Sequence, residues 1–337
     1  MKKIIIPALA AMTLVCGCAK TQTEGVNDSS KRFLEAWIQV YHPELVSKKV
    51  FPGYYIMNDV PGTGEPVGPA SQTPYIRANY RITDLEGNII TSTHKEDSYK
   101  LRTYVKSYFY GPEVFTRENN AMYTGLDYAV SDMKVGGTRE VLIPGWLMGN
   151  ERFETEEEYV RNVSGGVTCI YKIEVKERIQ DITKWEQDSL SAFVWRNYPK
   201  ATYDTTGFYR HVVRKSTDEK PFQQDTTIYI NYIGRRLDGM VFDTNIADTA
   251  KVYGLYSASG SYGPVTIKWN KNASNITMGT DNNSVITGFA YLLSKMGPYE
   301  KAVGMFTSDL GYSSGGTGKA IPGYSPLLFE VEVVDNQ

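Results

Sequence analysis

The sequence predicts an α+β protein of two tandem domains, each an antiparallel β-sheet wrapped around one short α-helix and each preceded by an N-terminal helix. Three observations carry this expectation. One order of elements (helix, strands, a central helix, a last strand) occurs twice along the chain. A length of 337 residues suits two domains. The 25 tyrosines and 30 glycines, spread among short alternating runs, favour β-rich structure with exposed aromatic surface.

The first 18 residues, MKKIIIPALAAMTLVCGC, stand outside this plan. Lys2 and Lys3 form a positive start, Ile4 to Val15 an apolar run too short to span a bilayer, and small Gly17 precedes Cys18. This reads as a secretory signal, and VCGC resembles a bacterial lipobox with Cys18 as the lipid-bearing residue. The polar stretch 19–31 reads as a flexible tether. No acidic cluster follows Cys18, which favours a Gram-negative envelope protein facing the periplasm. Cys169 then stands alone in the mature chain, in the apolar run VTCIYKIEV, and is expected in a buried strand.

The first copy is expected over 32–180. Phe33, Leu34, Trp37, Ile38 and Tyr41 fall at helical spacing, and Pro43 ends the run. The second copy, 181–337, opens with Trp185, Leu190, Phe193 and Val194 and stops at Pro199. YIRANYRI and TIYINYIG alternate as strands, with LEGN and LDGM as the turns that follow them. Leu126, Ala129, Val130 and Met133 form a helical stripe, and so do Phe289, Leu292, Leu293 and Met296. TCIYKIEV and LLFEVEVV close the two copies.

The copies differ where chemistry could reside. Asn79 to Thr91 reads NYRITDLEGNIIT, and Asn231 to Asp243 reads NYIGRRLDGMVFD. Ile90-Thr91 in the first copy therefore stands opposite Phe242-Asp243 in the second. An acid inside an apolar strand needs a partner.

The second copy resembles the FKBP-type peptidyl-prolyl isomerase family. The motifs that carry the resemblance, in order, are INYIGRRLDGMVFDTN, NSVITGFAYLLSKMGPYEKA and SDLGYSSGGTGKAIPGYSPLLFEVEVVD. The first copy fits the same outline less closely, through NYRITDLEGN, MKVGGTREVLIPG and CIYKIEV. The resemblance implies a pocket lined by Tyr232, Phe242, Val285, Ile286, Phe289, Tyr312, Ile321 and Phe329. Within it, Asp243 would orient a Tyr or backbone group, and the Ile286 N–H and the Tyr312 hydroxyl would hold substrate carbonyls. Tyr232, Phe242, Asp243, Ile286 and Tyr312 are thereby the catalytic candidates, and Val285, Phe289, Ile321 and Phe329 the substrate-binding ones. Phe289 stands where the family most often has Trp. Residues 246–274 fill a stretch that is short in typical members of the family, from which it takes another pocket aromatic and an Arg; this insert reads as a lid or a partner-binding loop. Tyr262 and Trp269 are the substitutes considered for that aromatic.

The activity so implied is prolyl cis-trans isomerisation, in a folding factor for envelope proteins. The chemistry calls for no cofactor and no metal. The implied partners are proline-containing polypeptide segments and, through the lipid, a membrane. The alternative is a non-catalytic binding or scaffold lipoprotein in an envelope complex. A third reading, capture of a small molecule or glycan, would use the exposed tyrosines. The first copy lacks the Phe-Asp pair and the Tyr-bearing flap, and reads as a non-catalytic binding or spacer domain. Net charge is −2 with no basic stripe, which argues against nucleic acid. Glu151 to Arg161, ERFETEEEYVR, reads as a solvated helical face rather than a metal site. GGTG at Gly315 to Gly318 reads as flap glycine, because no strand-to-helix context surrounds it.

Overall fold

The computed structural model describes residues 25–205, 207–218 and 222–335. The expected signal segment, with Cys18, lies outside the described residues. The N-terminal half contains α1 (Asp28–Tyr41), β1 (Lys49–Val50), β2 (Tyr54–Val60), β3 (Tyr75–Thr83), β4 (Ile89–Ser92), α2 (Lys95–Lys100) and β5 (Glu113–Thr116). It continues through α3 (Thr124–Ser131), β6 (Thr138–Ile143), α4 (Glu156–Asn162) and β7 (Cys169–Ile179). The C-terminal half begins with α5 (Ile182–Asn197), β8 (Thr202–Thr205), β9 (Phe208–Arg214), β10 (Thr227–Arg236), β11 (Val241–Thr244) and α6 (Ala247–Tyr253). It ends with β12 (Val265–Lys268), β13 (Thr277–Met278), β14 (Asn283–Ser284), α7 (Thr287–Ser294), β15 (Lys301–Phe306) and β16 (Leu327–Val334).

The two sheets share one strand order. The first runs β1-β2-β6-β7-β3-β4, with β5 also on β3. The second runs β14-β13-β12-β10-β16-β15-β9-β8, with β11 also on β10. All of these pairs are antiparallel. Thus β2, β6, β7, β3, β4 and β5 correspond to β9, β15, β16, β10, β11 and β12, and α3 to α7.

Each central helix forms because its apolar residues recur on one stripe that the sheet can cover. Ala129, Val130 and Met133 are buried in one domain, and Phe289, Leu292, Leu293 and Met296 in the other. Burying each large side chain is worth about 1.5–3 kcal/mol. The turns behave as their sequences predict: Gly87 and Gly239 have φ of 87° and 84°. Cys169 is buried in β7.

Several expectations need correction. The tether was expected to reach residue 31, but α1 starts at Asp28. Asn27, just before it, is buried and donates to the carbonyls of Val160 and Val163 at 3.0 and 2.8 Å. Of the expected α1 stripe, Leu34 and Ile38 are buried and Trp37 is half-buried, whereas Phe33 and Tyr41 face solvent. A single helix on a sheet edge covers only a narrow seam, so the flanks of a broad stripe stay wet. In α5 the seam is Leu190 and Val194, packed on Val303, Met305 and Leu328. The acidic run 151–161 is not a uniformly solvated face. Thr155 and Glu158 form a capping box at the start of α4, and Tyr159 and Val160 are buried. Among the described residues, no group of three or more His, Cys, Asp or Glu side chains is placed to hold a metal.

The insert is largely structured. After α6, β12 joins the edge of β10, and β13 and β14 extend that sheet further. Trp269 is buried, and its indole N–H donates to the Leu293 carbonyl at 2.8 Å. Tyr262 stacks on Tyr256 with ring centroids 5.1 Å apart, and its hydroxyl accepts the Ser257 N–H.

Candidate functional site

Strand alternation aims Tyr232 of β10 inward beside Ile230, and register sets its neighbours. Gly234 lies opposite both Asp243 of β11 and Phe329 of β16. The rings meet in a cluster. Tyr232 lies 5.6 Å from Phe289 and 6.4 Å from Phe329, centroid to centroid. Phe242 meets Phe329 edge-on at 5.6 Å, and Phe289 meets it at 4.8 Å. Gly234 is the only residue type that permits this approach. A Cβ there would sit 2.8 Å from the Phe242 ring and 3.0 Å from that of Phe329.

All eight expected wall residues fall in this one cluster. Tyr232, Phe289, Ile321 and Phe329 are buried in it, and Phe242, Val285, Ile286 and Tyr312 pack against it with part of their surface exposed. The floor is tight: Phe289 is 3% exposed, Ile321 1% and Phe329 4%. What remains open is the rim formed by Phe242, Val285, Ile286 and Tyr312, with the exposed Asp243 beside it. Of the aromatics considered as substitutes from the insert, Trp269 is buried in this same cluster but its ring meets Phe222, at 5.5 Å, and Tyr262 belongs to the loop stack with Tyr256.

Asp243 has the partner its position calls for. The Tyr232 hydroxyl donates to its Oδ2 at 3.0 Å. Loss of water around the carboxyl pushes its pKa up, the Tyr232 bond pulls it down, and the first effect is the larger. The same burial, with the nearby carboxylate, raises the pKa of the Tyr232 hydroxyl far above its ordinary range. Tyr312 is raised as well, first by burial and then by the Asp243 charge. Both hydroxyls therefore remain proton donors at neutral pH. Ile286 is the N-cap of α7, and its N–H finds no acceptor among the described residues. The Tyr232 backbone is held from behind, where its N–H donates to Asn245 Oδ1 at 2.7 Å and its carbonyl accepts from Thr244 at 2.7 Å.

Tyr312 and Ile321 sit in the long loop between β15 and β16, which includes GGTG, and the N-terminal domain grips that loop. The Phe109 N–H donates to the Lys319 carbonyl at 2.7 Å. The Tyr324 hydroxyl and Thr116 Oγ1 lie 2.9 Å apart, and Tyr324 meets Tyr75 edge-on at 5.6 Å. Buried Arg236 donates to the carbonyls of Ser107 and Ala320 and to Asp238 Oδ2. Sequence reading missed these contacts, since nothing local marks Arg236 or Tyr324.

The N-terminal copy lacks the Phe-Asp pair, yet aromatic residues line its sheet. Tyr80 lies opposite Ile173, and Ile82 opposite Thr91 and Tyr171. Tyr171 thus holds the register position of Phe329, and Thr91 that of Asp243. Phe115 pairs with Ile76, four residues before Tyr80, and its ring meets Tyr80 edge-on at 5.7 Å. The corresponding position in β12 is Ile267. A cavity of about 190 Å³ lies between these residues and α3.

Residues 218–334 match the family model described as FKBP-type peptidyl-prolyl cis-trans isomerase. No curated protein matches the chain. Among solved structures, a peptidyl-prolyl cis-trans isomerase from Pseudomonas syringae pv. tomato is 22% identical over 45% of this chain and 94% of its own, with a TM-score of 0.32. FkpA from Escherichia coli is 22% identical over 45% of this chain and 57% of its own, at 0.32. The three FKBP domains of wheat FKBP73 are 14% identical over 84% of this chain and 93% of their own, at 0.30. These structural likenesses concern fold alone.

Proposed function

Residues 218–334 belong to the FKBP-type peptidyl-prolyl cis-trans isomerase family, and from that premise we propose that the C-terminal domain isomerises X-Pro bonds of polypeptide segments at the Tyr232–Phe242–Asp243 rim. The observation that carries this reading is the closed cluster of four aromatic rings with one carboxylate at its edge, tied to Tyr232 at 3.0 Å.

The chemistry needs no nucleophile, metal or general base. Rotation about a prolyl amide breaks resonance, across a barrier of about 20 kcal/mol. The planar amide carries partial charge on oxygen, which water stabilises and an apolar rim does not. Such a rim favours the twisted amide over the planar one, and that difference in binding is what lowers the barrier. In this reading the Ile286 N–H and the Tyr312 hydroxyl hold substrate carbonyls while the prolyl bond turns. Asp243 keeps Tyr232 in place.

The setting we propose is the Gram-negative envelope, with Cys18 lipidated and the protein facing the periplasm as a folding factor. The sequence of residues 1–18 supports this. Labelled palmitate should enter the wild-type chain and not Cys18→Ala.

A second reading, binding without turnover, is favoured by the tight floor under Phe289, Ile321 and Phe329. A protease-coupled prolyl-peptide assay on the full chain separates the two. Turnover should exceed that of Phe242→Ala and Asp243→Ala by at least tenfold. Wild-type turnover no greater than that of Phe242→Ala would leave the binding reading in its place.

A further inference from the structure

We propose that the N-terminal domain carries a second peptide-binding site of its own, in which the cavity beside Tyr80 takes one bulky apolar side chain and the cleft between the two domains takes the adjoining backbone. Three observations lead to it.

The cavity is apolar and of single-side-chain size. It measures about 190 Å³ and is lined chiefly by Tyr80, Ile82, Phe115, Met122, Leu126 and Tyr171. An apolar cavity of about 150 Å³ is enough to stay dry and accept one benzene ring. Sites for drug-sized ligands run to about 300 Å³ and more. Tyr80, Ile82, Phe115 and Leu126 each keep part of their surface exposed, so the space opens outward rather than being sealed in the core.

A polar cleft shares Tyr80 with the cavity. Tyr80 also lines a space of about 270 Å³ that includes Thr91, Ser92 and Glu113 from its own domain and Gly318 and Lys319 from the C-terminal loop. An apolar slot beside a polar trough matches a side chain attached to its backbone, and not a wholly apolar ligand.

The trough has unused hydrogen-bonding groups of both kinds. The Lys319 charge acts on the Glu113 carboxylate, but neither group makes a hydrogen bond or a close ion pair among the described residues. One can accept a peptide N–H and the other can donate to a carbonyl. The C-terminal loop is fixed over this trough by the Phe109 to Lys319 bond and by Tyr324 on Thr116. The N-terminal copy has no Tyr-bearing flap of its own, so this wall of its site comes from the second domain.

The test uses the full chain and fluorescein-labelled pentapeptides Ser-Gly-Phe-Gly-Ser and Ser-Gly-Ala-Gly-Ser, read by anisotropy. The Phe peptide should bind at least about tenfold tighter than the Ala peptide, as expected for burying one aromatic side chain. Leu126→Phe and Ile82→Phe fill the cavity from different sides, and each should weaken Phe-peptide binding at least tenfold. Phe242→Ala, in the other domain, should leave it within twofold. Prolyl turnover of Leu126→Phe should equal that of wild type, so this site and the C-terminal one succeed or fail separately. Methyl NMR of Met122 in the wild-type chain should shift on adding the Phe peptide, whether or not the filled variants fold. No binding by the wild type, no Met122 shift, unaltered binding by a folded filled variant, or loss of binding in Phe242→Ala would each overturn the proposal.

Discussion

The Tyr232 hydroxyl donates to Asp243 Oδ2 at 3.0 Å across the β10–β11 pair, joining the buried aromatic floor to an exposed rim. The bond explains how an acid persists in an apolar strand. Although Asp243 lies at the exposed rim, loss of water around its carboxyl outweighs the pull of the Tyr232 bond and holds its pKa above the ordinary value. A raised carboxyl contributes stability that is complete below its unfolded pKa, about 3.9, and is lost as pH rises through the folded value. Asp243→Asn should therefore gain stability relative to wild type as pH climbs from about 3.5 to 7. Urea unfolding across that range checks it, and parallel curves for the two proteins would refute it. Tyr232→Phe, which removes the donor, should cost about 1 kcal/mol and lower prolyl turnover.

Gly234 makes a second prediction. A methyl group there meets the Phe242 and Phe329 rings at 2.8 and 3.0 Å, and the Phe329 ring is hemmed in by Phe242, Phe289 and Phe306. Gly234→Ala should cost about 1–3 kcal/mol through overpacking. The near-UV circular dichroism of the aromatic cluster should change with it. The N-terminal domain tolerates Ile82 at this register position because its strand partner offers Ile90, which is 53% exposed, in place of an inward Phe.

Arg236 governs the loop that carries Tyr312 and Ile321. It is 6% exposed and joins carbonyls from both domains. Arg236→Ala should leave Ser107 and Ala320 without a donor and cost about 1–3 kcal/mol. It should also speed amide exchange between residues 312 and 321, and tryptic cleavage after Lys319. Exchange as slow as in wild type would show that the loop holds itself.

Glu186 gives a test remote from the rim. It is 4% exposed, and it accepts from the Ser308 N–H at 2.7 Å and the Ser308 hydroxyl at 2.6 Å. Burial raises its pKa against those two bonds. Its stabilising contribution is complete below about 4.3 and fades as pH rises through its folded value. Glu186→Gln should gain on wild type from acid to neutral pH, whereas Glu186→Ala should lose about 1–3 kcal/mol by leaving Ser308 unpaired. Thermal melts at pH 4 and pH 7 distinguish these outcomes.

How far the sequence could be read depended on the distance over which each feature acts. The α3 and α7 stripes, the Gly87 and Gly239 turns, the alternation of β3 and β10 and the place of Cys169 were all legible, since each rests on neighbours a few residues apart. The eight wall residues of the C-terminal cluster could be named because the motifs that bear them are contiguous. Phe33 and Tyr41 misled because helical spacing records only an angular position and says nothing of the width of the surface that will cover it. Tyr171 and Phe115 escaped notice because their roles come from register: one lies opposite Ile82 and the other opposite Ile76, and each pair is joined through space.

The sequence by itself determined two copies of one α+β plan and which copy kept the Phe242-Asp243 pair, because periodicity, turn glycines and motif order are local properties of the chain. Only the tertiary structure decided that Trp269 serves the core, that the insert extends a sheet, that Tyr80 opens onto a cavity, and that the N-terminal domain grips the loop bearing Tyr312. Those outcomes depend on strand register and on contacts such as Arg236 with Ser107, between residues more than a hundred positions apart. No local pattern encodes such a meeting. It is settled when packing and hydrogen bonding across the whole molecule are satisfied together.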